Sequence, residues 1–168
     1  MNVSPIRFAL RQGPLGQMLL ADRGRGACAI ALGDDPDALA RGLQDDFPEA
    51  VLVTDPAGLA PALARLAHAI EHPREPLDLE LEPVGTPLQR RVWAALRTIP
   101  AGTTVSYAAI ARRIGRPEAV RAVANACAAN RLAIAIPCHR VVRSDGALSG
   151  YRWGVQRKRW LLDREAQS

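Results

Sequence analysis

Apolar positions come in short, closely spaced runs at the start of the chain. IRFAL, GQMLLA and GACAIAL are separated by Gly13-Pro14 and by Gly24 and Gly26. Runs of this length between turn formers predict a small antiparallel meander. The period then lengthens. In DDPDALARGLQDDF, Leu39, Leu43 and Phe47 fall on one helical face, Asp34 or Asp35 can cap the start, and Pro36 suits the first turn. DPAGLAPALARLAHAIEH predicts a second helix ending before Pro73. PLDLELEP returns to period two, the mark of a half-exposed strand, and PVGTPL reads as a linker near residues 83–87.

Helical periods dominate the second half. TPLQRRVWAALRTIP is a capped amphipathic helix with Leu88, Val92, Trp93 and Leu96 inward. In TVSYAAIARRIGRPEAVRAVANACAANRL, a helix over about Tyr107–Ile114 meets Gly115. Pro117 then opens a second helix reaching about Ala129. Two helices joined by a tight glycine turn fit a helix-turn-helix, with a plain helical hairpin as the bland alternative. The second helix offers Arg121 near its start and small exposed side chains at Ala122, Ala126 and Ala129, an inventory suited to a narrow, anionic groove. VQRKRWLLDREA predicts a last helix with Trp160 and Leu161 buried, leaving Arg157, Lys158 and Arg164 for solvent or phosphate.

Length and charge sharpen this picture. A chain of 168 residues can bury one full-sized core or two small ones. The formal charge of +5 is unevenly spread. Residues 1–85 hold 7 arginines against 13 acids, and residues 86–168 hold 15 basic residues against 4 acids. One basic half beside an acidic one suits a nucleic-acid binder with a supporting domain; a solvated arginine-rich face is the alternative. No apolar run is long enough to span a bilayer, and the N-terminal MNVSPIRFALRQG lacks a signal-peptide pattern. The three cysteines, Cys28, Cys127 and Cys138, cannot all pair and none has CxxC spacing. A reducing, cytoplasmic compartment is therefore expected.

The candidate chemistry lies in LAIAIPCHRVVRSDG, where Cys138 adjoins His139 after β-prone Ile134 and Ile136. The reactive form of a cysteine is the thiolate, so Cys138 needs a base or a positive field. Neighbouring side chains in a strand point to opposite faces, so contact with His139 requires a turn or a bridging water. An acid should orient the imidazole; Asp145 and Glu165 are the candidates, whereas Asp163 and Glu118 read as helix-surface residues. Cys127 and Cys28 read as packing. His68 and His72 stand four apart on a helix and could offer two metal ligands, but no third is apparent, so no metal is expected. No glycine-rich phosphate loop occurs, and GDD at 33–35 reads as a helix start.

IPCHRVV, SYAAIA, RAVANACAAN, GALSGYRWG and KRWLLDRE together resemble the O6-alkylguanine-DNA alkyltransferases, also called methylated-DNA–protein-cysteine methyltransferases. The likeness is greatest to the repair domain of Ada-type members, dense over about residues 86–166 and looser before. It implies an α/β (α+β) protein in two domains. Residues 1–84 would form a ribonuclease-H-like domain with a small antiparallel sheet and helices. Residues 85–168 would form a mostly helical domain with the helix-turn-helix. The implied function is irreversible, stoichiometric transfer of methyl from O6-methylguanine, and by extension O4-methylthymine, in double-stranded DNA to Cys138. The DNA would be entered through its minor groove with the nucleotide flipped out. No cofactor, membrane or obligate protein partner is implied, and a monomer is expected.

The resemblance also implies roles. His139 is the base acting on Cys138 through water, and Glu165 holds the imidazole. Asn130 braces the hinge between recognition helix and active-site loop. The Tyr107 phenol protonates guanine as charge builds. Arg121 fills the gap left by the flipped base. Tyr151, with the loop from Ser149 to Arg152, walls the pocket, and the carbonyls of Cys138 and Val141 accept from the exocyclic amine. Three departures stand out. The Cys/His zinc ligands of some members do not occur in this sequence, and it is expected to lack the zinc-bound domain of Ada-type proteins. Trp153 replaces a glycine of other members, which is expected to narrow the pocket, favouring methyl over benzyl adducts. Two rivals remain: a lesion-recognising DNA-binding protein without transfer activity, and a Cys-His hydrolase.

Overall fold

The computed structural model describes residues 5–167. The first half holds β1 (Ile6–Gly13), β2 (Gly16–Asp22), β3 (Ala27–Gly33), α1 (Pro36–Asp46), β4 (Leu52–Thr54) and α2 (Pro56–Glu71). β1 and β2 form a hairpin from Arg7↔Asp22 to Gly13↔Gly16, and β3 pairs antiparallel with β2, giving the predicted meander. At the hairpin turn Gly16 has φ +100°, and a Cβ there would lie 2.8 Å from the Gly33 carbonyl oxygen, so only glycine fits.

The sheet order is β3-β2-β1-β4, and β4 runs parallel to β1, with Ile6 opposite Leu52. The sheet is therefore mixed, not purely antiparallel. β4 has only three residues and Val53 is exposed, too short and too open a run to register as alternation. PLDLELEP is corrected as well. It forms no strand, only a bridge between Ala27 and Leu81 flanked by two backbone hydrogen bonds to Ala27. Its alternation is nevertheless used: Leu77, Leu79 and Leu81 pack on the core.

Period two in β2 feeds two cores. Met18 and Leu20 join Leu59, Leu63, Leu66 and Ile70 under α2, while Leu19 and Ala21 join Ile6, Phe8 and Leu43 under α1. A strand covered on both faces reads as a continuous apolar run, hence MLLA.

The second half contains α3 (Pro87–Leu96), β5 (Val105–Ser106), α4 (Tyr107–Arg113), α5 (Val120–Ala128), β6 (Val141–Val142) and α6 (Val155–Gln167). Thr86 and Gln89 close a capping box on α3. Gly115, at φ +77°, makes the turn between α4 and α5. α5 begins at Val120, not Pro117, because the Ala119 amide turns back to the Arg116 carbonyl at 2.9 Å before the helix starts. Residues 132–136 are not the expected strand lead-in. They turn, with Ile134 at φ +71° and a single bridge from Leu132 to Ile30. Cys138–Arg140 then forms a 3₁₀ turn, and β6 pairs parallel with β5. The core cluster under α2 continues through Val92, Trp93, Leu96, Val123, Leu132, Val141 and Leu161, so the two halves share it.

α6 inverts one expectation. Lys158, assigned to solvent, is fully buried, and Trp160, assigned to the core, is 37% exposed. Lys158, Leu161 and Glu165 recur at helical spacing, and that stripe faces inward. Among the described residues, no helix is long and apolar enough to cross a membrane.

Candidate active site

The 3₁₀ turn sets the geometry around the sulfur. Turning at Cys138–Arg140 removes the alternation of a strand, so Cys138 and His139 are both buried. Asn130, just beyond α5, is fully buried, and its side-chain amide donates to the Ile136 carbonyl at 3.0 Å and to Cys138 Sγ at 3.3 Å. Its oxygen accepts from the Leu132 amide at 2.9 Å. One side chain thus ties α5, the turn containing Ile134, and the sulfur.

Glu165, not Asp145, meets the imidazole. Its Oε2 lies 2.8 Å from His139 Nε2, and Arg140 binds both carboxylate oxygens, at 2.9 and 3.0 Å. Asp145 instead accepts from the Ala147 amide in an exposed turn. Burial pushes the Glu165 carboxyl up, but the His139 and Arg140 hydrogen bonds and the Arg140 charge outweigh it and hold it at about 2. Burial pulls His139 below its ordinary 6.5 despite Glu165. The imidazole therefore rests neutral against an ionised carboxylate. A carboxylate only accepts, so Nε2 carries the proton and Nδ1 keeps its lone pair. Nδ1 is buried with no hydrogen-bond partner among the described residues. It is a base awaiting a proton.

Burial also raises Cys138 above the ordinary thiol value, against the Asn130 hydrogen bond and the charges of Lys158 and Arg152. Burial thus favours the neutral thiol at rest, and forming the thiolate depends on the base. Cys127, beside the same cavity, is pushed up to about 12 by burial, and Cys28 to about 11. Neither is a nucleophile under ordinary conditions.

Cys138 opens on a cavity of about 530 Å³ whose wall includes Tyr107, Ala124, Ala128, Ser149, Tyr151 and Arg152. This volume suits a small, largely enclosed ligand. The Tyr107 hydroxyl hydrogen-bonds Ser149 Oγ, and burial raises its pKa, so it remains a phenol able to donate. Tyr151 stands edge-on to His139, its hydroxyl buried without a partner among the described residues. Val141, buried, offers its carbonyl to Lys158 Nζ at 2.8 Å, and Lys158 also donates to Ser149 Oγ at 3.0 Å. Lys158 is the residue the sequence reading missed. Its signal was the i, i+3, i+7 stripe with Leu161 and Glu165.

Arg121 is exposed and Ala122 and Ala129 are half-buried, but Ala126 is buried, its carbonyl bonded by the Trp93 indole at 2.9 Å. Ala124 and Ala128 line the cavity instead. Trp153 is not among the cavity-lining residues. It is buried toward α1, stacks edge-on against Tyr151 at 5.2 Å and lies under the Arg152 guanidinium, so its bulk reaches the pocket through those two wall residues. Arg152 donates to the Asn130 carbonyl at 3.2 Å and to Asp46 of α1 at 2.8 Å.

A helix-turn-helix beside a cavity that holds a base-assisted thiol defines a class of protein built to bring a cysteine to a bound substrate. Comparison narrows the class. Residues 87–167 match the family described as 6-O-methylguanine DNA methyltransferase, DNA binding domain. The chain is 52% identical over 163 residues to the Escherichia coli bifunctional transcriptional activator/DNA repair enzyme Ada, covering 97% of this chain and 46% of that one. It is 47% identical over 118 residues to the methylated-DNA–protein-cysteine methyltransferase of Salmonella typhimurium, covering 70% and 67%. The crystal structure of Mycobacterium tuberculosis OGT in complex with DNA matches with a TM-score of 0.82 at 35% identity, over 96% of this chain and 93% of that one. The chain belongs to the O6-methylguanine-DNA methyltransferase family. It spans about half the length of the Ada-type relatives it matches, 46% and 47%.

Proposed function

We propose that this chain binds double-stranded DNA through its basic half and transfers the methyl of O6-methylguanine irreversibly to Cys138 Sγ. The observation that carries this reading is the neutral His139, with Nε2 spent on Glu165 and Nδ1 unpartnered, next to a cavity-lining thiol. Methyl transfer requires the lesion to leave the base stack, at roughly a few kcal/mol. A minor-groove approach through α5 is supported by its small side chains, Ala122, Ala124 and Ala128, beside exposed Arg121.

His139 takes the thiol proton, directly or through water. The sulfur lone pair then forms a bond to the methyl carbon as the carbon–oxygen bond breaks and its electrons move onto guanine. Tyr107 donates to the ring as negative charge grows there, which makes guanine a better leaving group. Guanine keeps the proton that Tyr107 gives, and the proton His139 took from the thiol restores the Tyr107 phenol, so the products are a methyl thioether and unmodified guanine. A thioether has no carbonyl for water to attack, so each molecule acts once. Residues 1–84 would serve as support and residues 85–168 as the reactive domain, acting as a monomer without a cofactor.

The test is incubation with an O6-methylguanine duplex, followed by intact and peptide mass spectrometry. The expected result is one methyl per chain on the peptide containing Cys138. Multiple turnovers without protein modification would indicate a hydrolase. Tight lesion binding with no transfer would indicate a recognition protein.

A further inference from the structure

The end of α2 carries three metal-binding side chains that the repair chemistry does not use. His68 and His72 stack one turn apart, ring centroids 4.3 Å from each other. Just beyond the helix, the Glu75 amide donates to the His72 carbonyl at 3.1 Å and turns the chain back. That turn brings Glu75 Oε2 to 3.0 Å from His68 Nε2 and 3.5 Å from His72 Nδ1. The three donor atoms lie within 4.8 Å of one another. The sequence offers only two histidines at helical spacing; the third ligand is recruited from past Pro73 because the helix ends there.

We propose that His68, His72 and Glu75 form a binding site for a first-row divalent cation of the Zn²⁺ type. Two imidazoles and one carboxylate are a borderline-soft donor set, which suits Zn²⁺ and leaves a fourth position for water. The donors already converge, so little ordering is needed on binding. The His72 amide caps onto the His68 carbonyl at 2.8 Å, fixing the helix end. Arg164 of α6 holds the Glu71 carbonyl at 3.1 and 2.9 Å. Arg74 reaches the carbonyls of Ala101 at 3.4 Å and Glu165 at 3.3 Å. Both arginines neighbour the cluster and reach these backbone oxygens, and Arg11 lies across the groove that His68 lines on the other side. All three ligands are exposed, so an ion enters without rearrangement. Because the ligand segment touches α6 through Arg74 and Arg164, a bound ion clamps residues 68–75 against the helix that carries Glu165.

Calorimetric titration of the full chain with Zn²⁺ tests this. One ion per chain with micromolar affinity is expected, and His68→Ala or Glu75→Gln weakens binding by more than about tenfold. Zn²⁺ raises the melting temperature of the parent but not of the His68→Ala/His72→Ala double variant. Co²⁺ as a probe gives d–d absorption without a thiolate charge-transfer band, which excludes cysteine ligation. Methyl transfer by the double variant in chelator equals that of the parent, showing an intact fold. Undiminished Zn²⁺ binding by the double variant, a thiolate band, or no saturable binding by the parent overturns the proposal.

Discussion

Glu165 bears two burdens, holding the His139 imidazole and pairing with Arg140, and both show in acid. A carboxyl held below its unfolded value stabilises the fold only while ionised. The drop from 4.5 to about 2 corresponds to roughly 3 kcal/mol. That contribution is complete above about pH 5 and is withdrawn as pH falls toward 2. His139 acts in the same direction, because its proton affinity is lower folded than unfolded; acid below its ordinary 6.5 therefore favours unfolding. Glu165→Gln is expected to lose about 3–5 kcal/mol at neutral pH, since Arg140 is left without a charged partner. Urea denaturation at stepped pH should show a flatter acid limb in the variant. Its rate of methyl transfer should fall as well, because nothing then fixes the His139 tautomer. At this scale the sequence was informative about identity and silent about state. Cys138, His139 and the pair of candidate acids could be named from residue type alone. That the thiol rests neutral, and that Glu165 reaches the ring across 26 positions, depends on burial and on α6 packing, which no local pattern encodes.

Among the elements, the legible ones were those whose signals are local. Asp35 and Pro36 on α1, the Thr86–Gln89 box on α3, and Gly115 between α4 and α5 announce themselves by residue type. The misread ones depend on distant partners. β4 exists because β1 accepts it, and residues 132–136 turn because Asn130 pins both ends of the loop. α6 was oriented wrongly because a lysine and a glutamate occupy its buried face, where hydrophobicity expects a tryptophan. Gly115 permits a check at this scale. A Cβ there meets open space, so Gly115→Ala costs only its left-handed backbone, about 1–2 kcal/mol, and Gly115→Asn costs less. Thermal or chemical denaturation should rank the three proteins in the order glycine, asparagine, alanine. A loss far above that range would mean the turn makes contacts that the open surroundings of Gly115 do not suggest.

For the molecule as a whole, charge is divided between the halves but the larger core cluster spans both. The second half carries the excess of basic charge, while Asp46 in the acidic half grips Arg152 beside the cavity, so the first half braces the cavity wall of the second. Binding to duplex DNA should weaken steeply with salt, as counterion release requires. Arg121→Ala separates two uses of a cation. If Arg121 occupies the space vacated by the flipped base, transfer falls at least about tenfold while the salt slope stays nearly constant; a mere phosphate contact would lower the slope by about 1. Binding isotherms at several salt concentrations, with single-turnover rates, distinguish the outcomes.

The chain's single lysine is sealed at the back of the reactive pocket, bonded to Val141 and Ser149. Amine-directed reagents therefore have no exposed lysine to label, and acylation at Lys158 can occur only when α6 or the Ser149 loop lifts away. The acylation rate of that one amine is a built-in clock for pocket breathing, readable with and without DNA in the same sample.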